Sequence, residues 1–198
     1  LDGTLLRDDK SLSELNRKAM IGVQKQGVKV VILSGRPTVG CSHVAEALEI
    51  GKHGGYVIGF NGGEITEWGS KKHLFDILLP NDTINKIIEY ALSKNLTLML
   101  HDDVIITNNP KSPYVLRSSK GNRMNLVGSD HILEIIDGRK LHKCMIAGEA
   151  DDIEELEKVM ATIFPNISVF RSEPYYLEFV PKGINKGFAL EKLMKEYH

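Results

Sequence analysis

The chain is short of several things, and each shortage removes a class of function. Charge of one sign is lacking: 25 Lys and Arg stand against 26 Asp and Glu, a formal net charge of −1. Without a broad basic field there is no counterion-release grip on nucleic acid, so phosphate recognition has to be local. Long hydrophobic runs are missing too. Stretches such as residues 30–33 are only a few residues long, far below a bilayer span. No signal-peptide pattern is visible. Cysteine is scarce: Cys41 and Cys144 are the two present. They lack metal or redox spacing, which reads as free thiols in a reducing, cytoplasmic setting. Nothing near either residue in sequence would lower a thiol pKa, so a cysteine nucleophile is not indicated.

The composition that remains is that of an ordinary globular protein, 42% hydrophobic and 26% charged over 198 residues, enough for one large domain or two small ones. Leu12, Leu15, Ala19, Met20 and Val23 recur at helical spacing, and Gly27 closes that helix. The run VKVVILS, residues 28–34, is continuous and β-branched, as in a parallel strand covered on both faces. A short helix through Val44, Ala47 and Leu48 follows, then a second apolar strand, YVIGF, ending at Asn61-Gly62-Gly63. Alternating helix and strand marks a doubly wound α/β layer.

The rhythm changes after Pro80. Ile84, Ile87, Ile88, Ala91 and Leu92 form an amphipathic helix, with strands expected at LTLML, VIITN and LHKCMIA. The stretch KGNRMN reads as loop. Ile153, Leu156, Val159, Met160 and Ile163 mark another helix, and SVFRS and YYLEFV pair as a hairpin around Glu173-Pro174. A last helix carries Ala189, Leu190, Leu193 and Met194. Residues 80–182 therefore read as an α+β unit inserted between core segments 1–79 and 183–198.

Individually the polar motifs are weak. Asp2-Gly3-Thr4 is by itself a turn, Ser34-Gly35-Arg36 a strand terminus, and Lys186 a solvated lysine. Their placement in combination is informative. Ser34 stands at the carboxyl end of a parallel strand, where open α/β sheets bind ligands, and Gly35 N–H adds a phosphate donor. Asn185 can cap the last helix and so present Lys186 in its first turn.

In order, LDGTLL, VVILSGRP, FNGG and YYLEFVPKGINKGFAL resemble the haloacid dehalogenase superfamily of phosphatases, and within it the Cof-type subfamily with an inserted α/β cap. The resemblance implies a Rossmann-like core, incomplete here. Asp2, Gly3 and Thr4 match the second half of the family's Asp-x-Asp-Gly-Thr motif, so the nucleophilic aspartate is expected just before Leu1. The acidic fourth motif is expected after His198. On the same ground the core is expected to keep only the strands VKVVILS and YVIGF, and the 198 residues alone to be neither active nor a whole folded unit.

The resemblance further implies a Mg²⁺-dependent phosphatase acting through an aspartyl-phosphate on a small phosphorylated metabolite, a sugar phosphate or nucleotide-type cofactor. Asp2 is expected to act as acid and base and to lend its backbone carbonyl to Mg²⁺. Gly3, Thr4, Ser34, Gly35 and Arg36 are expected around the phosphate, Lys186 as charge partner of nucleophile and phosphoryl group, and Asn61 and Gly62 at the mouth of the core. Alternatives are a phosphomannomutase-like or sugar-phosphate-specific member, or a non-catalytic phosphometabolite binder. Asp8-Asp9 reads as helix-dipole partners and caps, and His101-Asp102-Asp103 as a turn without metal spacing. Arg171, Ser172 and Glu178 are read as facing the site or forming salt bridges, and Trp68 and Tyr175-Tyr176 as packing or cap surface.

Overall fold

The computed structural model describes residues 1–197, which divide into two compact units, Leu1–Asp76 with the segment from Ile184 on, and Ile77–Gly183. No described helix is long and apolar enough to cross a membrane.

The first unit opens with helix α1, Glu14–Lys25. Ser13 caps it, its Oγ accepting from Asn16 N–H at 3.1 Å. Its end is set by glycine: Gly27 takes φ +90°, while Val28 N–H and Gly27 N–H donate to the Val23 and Gln24 carbonyls. That left-handed closure satisfies carbonyls the helix leaves bare. Leu15, counted above on the apolar face, is 78% exposed. The helix instead packs through Met20, and through buried Gln24, whose amide donates to the Leu48 carbonyl at 2.7 Å.

Strands β1 (Val31–Leu33) and β2 (Tyr56–Gly59) pair in parallel, with helix α2 (Thr38–Ala47) between them. The sheet then continues through an antiparallel hairpin, β3 (Glu64–Glu67) and β4 (Lys72–Asp76), in the order β1-β2-β3-β4. This corrects the expectation of a two-strand core. The alternation of Glu64, Ile65 and Thr66 before the Gly69 turn is short, and a register shift in the hairpin interrupts it. Ile32 and Val57 pack with Val44, Ala45, Leu48 and Trp68 on one face. Tyr56, Ile58 and Ile65 pack on the other with Ala189 and Leu193 of helix α3, which is numbered here for the first unit and spans Lys186–Glu196. Both faces are thus covered, the reason β1 and β2 read as near-continuous apolar runs.

The second unit contains helix α4 (Asn81–Ser93), strands β5 (Thr97–His101) and β6 (Ile105–Thr107), helix α5 (Pro113–Asn122), strand β7 (Leu126–Gly128), helix α6 (Ile132–Ile135), strand β8 (Lys143–Ala147), helix α7 (Ala150–Ile163) and the hairpin β9 (Ile167–Glu173) and β10 (Tyr176–Pro181). Its sheet runs β7-β6-β5-β8-β10-β9 and is antiparallel except for β6 with β7. Leu98, Leu100, Cys144, Ile146, Leu177 and Phe179 face α4 and α7 in one core. Met99, Met145 and Tyr176 meet Val115 of α5 in another. The stretch KGNRMN, read as loop, begins inside α5. Pro113 starts that helix at a position where its missing N–H costs nothing. Buried Lys143 and Glu178 form an ion pair at 3.3 Å, and Arg171 pairs with Glu154 and Glu157 of α7. His101 ends β5 fully buried; burial first, then the Lys143 charge, push its pKa well below the ordinary histidine value.

Glycine geometry yields a paired prediction. A Cβ on Gly62 (φ +107°) would lie 2.7 Å from the Asn185 carbonyl oxygen and 2.9 Å from Ala189 Cβ, whereas one on Gly22, inside α1, meets nothing within 4 Å. Gly62→Ala is expected to cost about 1–3 kcal/mol through strain and overpacking. Gly22→Ala is expected to add about 0.5–1 kcal/mol. Urea unfolding of the two variants, with opposite shifts of midpoint, checks both.

Candidate active site

Asp2 sits in a tight turn. The amides of Leu5 and Leu6 both donate to the Leu1 carbonyl, at 3.0 and 3.2 Å, and Gly3 supplies φ +65°. Gly3 and Thr4 are exposed on this turn. The Asp2 carboxylate is gripped by a guanidinium fork: Arg36 Nε–H donates to Oδ2 and Nη2–H to Oδ1, each at 2.7 Å. Lys10 adds a second cation at 3.0 Å from Oδ1. Lys10 gets there because its own loop folds back, with φ +64° and its amide bonded to the Arg7 carbonyl.

The fork is the strong form of a carboxylate contact, and Arg36 is 8% exposed. The Arg36 hydrogen bonds, opposed by partial burial and reinforced by Lys10, hold the Asp2 carboxyl well below the usual carboxylate range. In this arrangement Asp2 is an anion.

Arg36 is positioned by two interlocked loops at the carboxyl ends of β1 and β2. Ser34 N–H donates to the Ile58 carbonyl at 3.0 Å, extending the parallel ladder by one step. Asn61 N–H then donates to the Ser34 carbonyl at 3.0 Å and Phe60 N–H to the Arg36 carbonyl at 2.9 Å. The Ser34 hydroxyl accepts from Arg36 N–H at 3.2 Å. Phe60 and Asn61 hold φ of +50° and +58°, a left-handed pair that non-glycine residues adopt seldom. Asn61 lies so close to Gly35 that a Cβ there would be 2.7 Å from Asn61 Oδ1.

The last helix joins through Gly62, whose bare Cα lets the Asn185 carbonyl approach. Asn185 caps α3, its Oδ1 accepting from Phe188 N–H at 2.9 Å, so Lys186 is the first helical residue. Lys186 lies within electrostatic reach of the Leu1 backbone nitrogen, in the segment that carries Asp2. The structure therefore links Asp2, Ser34, Gly35, Arg36, Asn61 and Gly62 through direct contacts to the start of α3.

Two neighbours of the site, Lys10 and Glu64, were not singled out by sequence reasoning. Lys10 belongs to a polar loop whose fold-back has no sequence signature. Glu64 is buried and takes the Thr38 hydroxyl at 2.5 Å, a contact set only by the sheet order. Cys41 is buried near Ser34, and burial pushes its thiol up to about 11, so it is no nucleophile. Asp9, expected as a helix cap, instead accepts from Ser11 N–H at 2.9 Å within the preceding loop, and Ser13 is the cap of α1.

A fit test for Mg²⁺ follows from the donors. The ion takes near-octahedral oxygen ligands. Asp2 offers a backbone carbonyl, but its carboxylate is occupied by Arg36 and Lys10. Among the described residues, the group of acidic and imidazole ligands close enough to hold a metal is Glu64, His73 and Asp76, which excludes Asp2. The described residues around Asp2 do not by themselves make a Mg²⁺ site.

With this geometry in place, comparison with known proteins is specific. The profile of the haloacid dehalogenase-like hydrolases matches residues 1–198. A crystal structure of a haloacid dehalogenase-like hydrolase from Bacteroides thetaiotaomicron superposes with a TM-score of 0.94 at 36% identity, covering 98% of this chain and 74% of that one. A candidate phosphatase of Streptococcus pyogenes serotype M6 is 28% identical over 99% of this chain and 73% of its own length. A Bacillus subtilis protein named as a 5-amino-6-(5-phospho-D-ribitylamino)uracil phosphatase is 29% identical over 99% of this chain and 69% of its own. The motif order, the sheet with helices on both faces and the profile agree: this chain belongs to the haloacid dehalogenase-like hydrolases, as a phosphatase of the Cof type.

Proposed function

We propose that the chain hydrolyses a small phosphorylated metabolite with a sugar-like or polyol leaving group, and that its phosphate is received at the Arg36 loop. The observation that carries this reading is the buried Arg36 fork, set beside the Ser34 hydroxyl and engaged by Asp2. A phosphate dianion matches a planar guanidinium as well as a carboxylate does, so an incoming phosphoryl group competes with Asp2 for the same donors. Substrate thereby frees Asp2 from the contact that keeps it ionised, and its pKa rises toward the range a general acid needs. Asp2 then gives a proton to the leaving alkoxide and later takes one from the attacking water. Lys186 balances charge on the phosphoryl group. The B. subtilis relative, named for a phosphorylated ribityl compound, supports a polyol-type ester. The covalent step belongs to the aspartate that the family pattern puts two places before Asp2. Mg²⁺, as the family implies, would supply charge neutralisation at the phosphoryl oxygens, and from this segment the Asp2 backbone carbonyl would be the group to hold it.

Turnover by the full-length protein, measured over a panel of sugar and polyol phosphates with and without Mg²⁺, tests the reading. Asp2→Asn is expected to lower kcat by roughly two to four orders of magnitude, the usual size of general acid–base catalysis, and Lys186→Met to lower it as well. Near-normal turnover in Asp2→Asn on an unactivated ester would sink the acid–base role.

The competition for Arg36 has its own signature. In Arg36→Gln the Asp2 carboxyl, followed by ¹³C NMR, is expected to titrate higher than in the parent, toward the ordinary carboxylate range, with Lys10 still holding it on the low side. In the parent protein, saturating inorganic phosphate is expected to raise it likewise. The folded-state pKa of Asp2 is depressed, so the pair stabilises the fold above the unfolded value of about 4 and loses that contribution as pH falls through the folded value. The acid-side decline of Tm is therefore expected to be shallower in Arg36→Gln. An Asp2 pKa that ignores both phosphate and the Arg36 change would refute the exchange.

A further inference from the structure

We propose that Glu64 is a positioning residue for the Arg36 fork: it pins Thr38 at the start of α2, and through Thr38 it fixes the backbone that carries the guanidinium. This role deepens the proposed function, and only its kinetic consequence rests on that reading.

The Glu64 carboxylate is buried and divides its two oxygens between different elements. Oε1 accepts from the Thr66 hydroxyl at 3.1 Å and lies 2.9 Å from His73 Nδ1, both on the β3–β4 hairpin. Oε2 accepts from the Thr38 hydroxyl at 2.5 Å, a bond that leaves the hairpin for α2. A short bond to a charged acceptor is the strong kind. Burying a carboxylate is costly unless its hydrogen bonds are made, so the Thr38 contact is held firmly. The first turn of α2 has no acidic residue and no side-chain cap of its own. Glu64 therefore brings to it, from the sheet, the negative charge that a helix N-terminus favours.

Thr38 is gripped from a second side. A Cβ on Gly59, the last residue of β2, would lie 2.3 Å from Thr38 Oγ1 and 2.8 Å from its backbone nitrogen. Gly59 is also the residue opposite Glu64 in the β2–β3 register. The start of α2 thus rests on bare backbone at the end of β2 and is tied there by the carboxylate of the neighbouring strand.

Only Pro37 separates this clasp from Arg36. Its ring locks φ, here at −53°, and so leaves one fewer soft dihedral between the two. Arg36 is held on its other side by the Ser34 hydroxyl and by Phe60 N–H on its carbonyl. A guanidinium fork needs its angle as well as its distance, and a misplacement of about 1 Å can cost about 10²-fold.

The test uses the full-length protein, read by the ¹H–¹⁵N signal of Arg36 Nε–H and by kinetics with inorganic phosphate as inhibitor. Thr38→Val keeps the shape and removes the hydroxyl. Its Arg36 signal is expected to move toward that of free arginine. KM for a hydrolysed ester and the inhibition constant of phosphate are expected to rise together roughly tenfold. Little change in kcat is expected, as for loss of uniform binding. Thr38→Ser, which keeps the hydroxyl, is expected to retain the parent signal and constants. Glu64→Gln is expected to shift them less than Thr38→Val and to add nothing to it in the double variant, because the two residues act as one unit. Thr66→Val removes the other hydroxyl on Glu64 and is expected to lower Tm with the Arg36 signal unmoved, which separates positioning from stability. The Arg36 signal is read without ligand, so a parent protein that ignores phosphate would count against the proposed function alone. An unmoved Arg36 signal in Thr38→Val, equal shifts in Thr38→Val and Thr66→Val, or additive effects of Thr38→Val and Glu64→Gln would overturn the role.

Discussion

Everything at the candidate site hangs on two loops that could not lie together if their glycines had side chains. The loops after β1 and β2 exchange backbone hydrogen bonds, Asn61 to Ser34 and Phe60 to Arg36. Gly35 and Gly62 leave room, respectively, for the Asn61 side chain and for the backbone at the start of α3. The left-handed conformations of Phe60 and Asn61 are the strain stored in this crossing. It is offset by three parallel-ladder and loop bonds and by the packing of Ile58 and Ile65 beneath. Rigidity here is chemically useful, because a guanidinium fork discriminates by angle as well as by charge.

The charges around Asp2 form a graded set. Arg36 is buried and bidentate, Lys10 is half exposed and holds one oxygen. An exposed ion pair is worth little in itself, while a buried fork is costly to break without a replacement anion. Removing the carboxylate from Arg36 is therefore favourable only when another anion takes its place. The resting structure thus keeps the Arg36 donors satisfied by the Asp2 carboxylate.

Much of this was legible in residues alone. The run VKVVILS announced a doubly covered strand because both sheet faces carry helices, and Asn185 before Lys186 announced a capped helix because the cap is a local interaction. The chain order of the motifs picked out segments that the structure brings together around Asp2 and Arg36. What could not be read was whatever depends on how distant segments meet. Lys10 reaches Asp2 through a fold-back without a pattern, and Arg36, expected against phosphate, turns first to Asp2. Leu15 sat on the right periodicity yet on a face nothing covers. The β3–β4 hairpin was missed because its short alternation is broken by the bulge at Leu74, so that His73 falls out of phase.

One feature of the first unit bears on how the chain acquires its structure. The face formed by Tyr56, Ile58 and Ile65 is closed by Ala189 and Leu193. The Tyr197 hydroxyl donates to the Leu74 carbonyl across a separation of 123 residues. Between them runs the whole second unit, so a ribosome delivers that unit before the helix that covers this face. During synthesis the β2–β3 surface is an apolar face without its cover, the state in which chains are most exposed to mispairing. Contacts of such long range also slow folding, because their loop entropy is spent before any packing is gained. The helix that carries Lys186 thus arrives after the whole second unit, and covering of the β2–β3 face and placement of that lysine are one event.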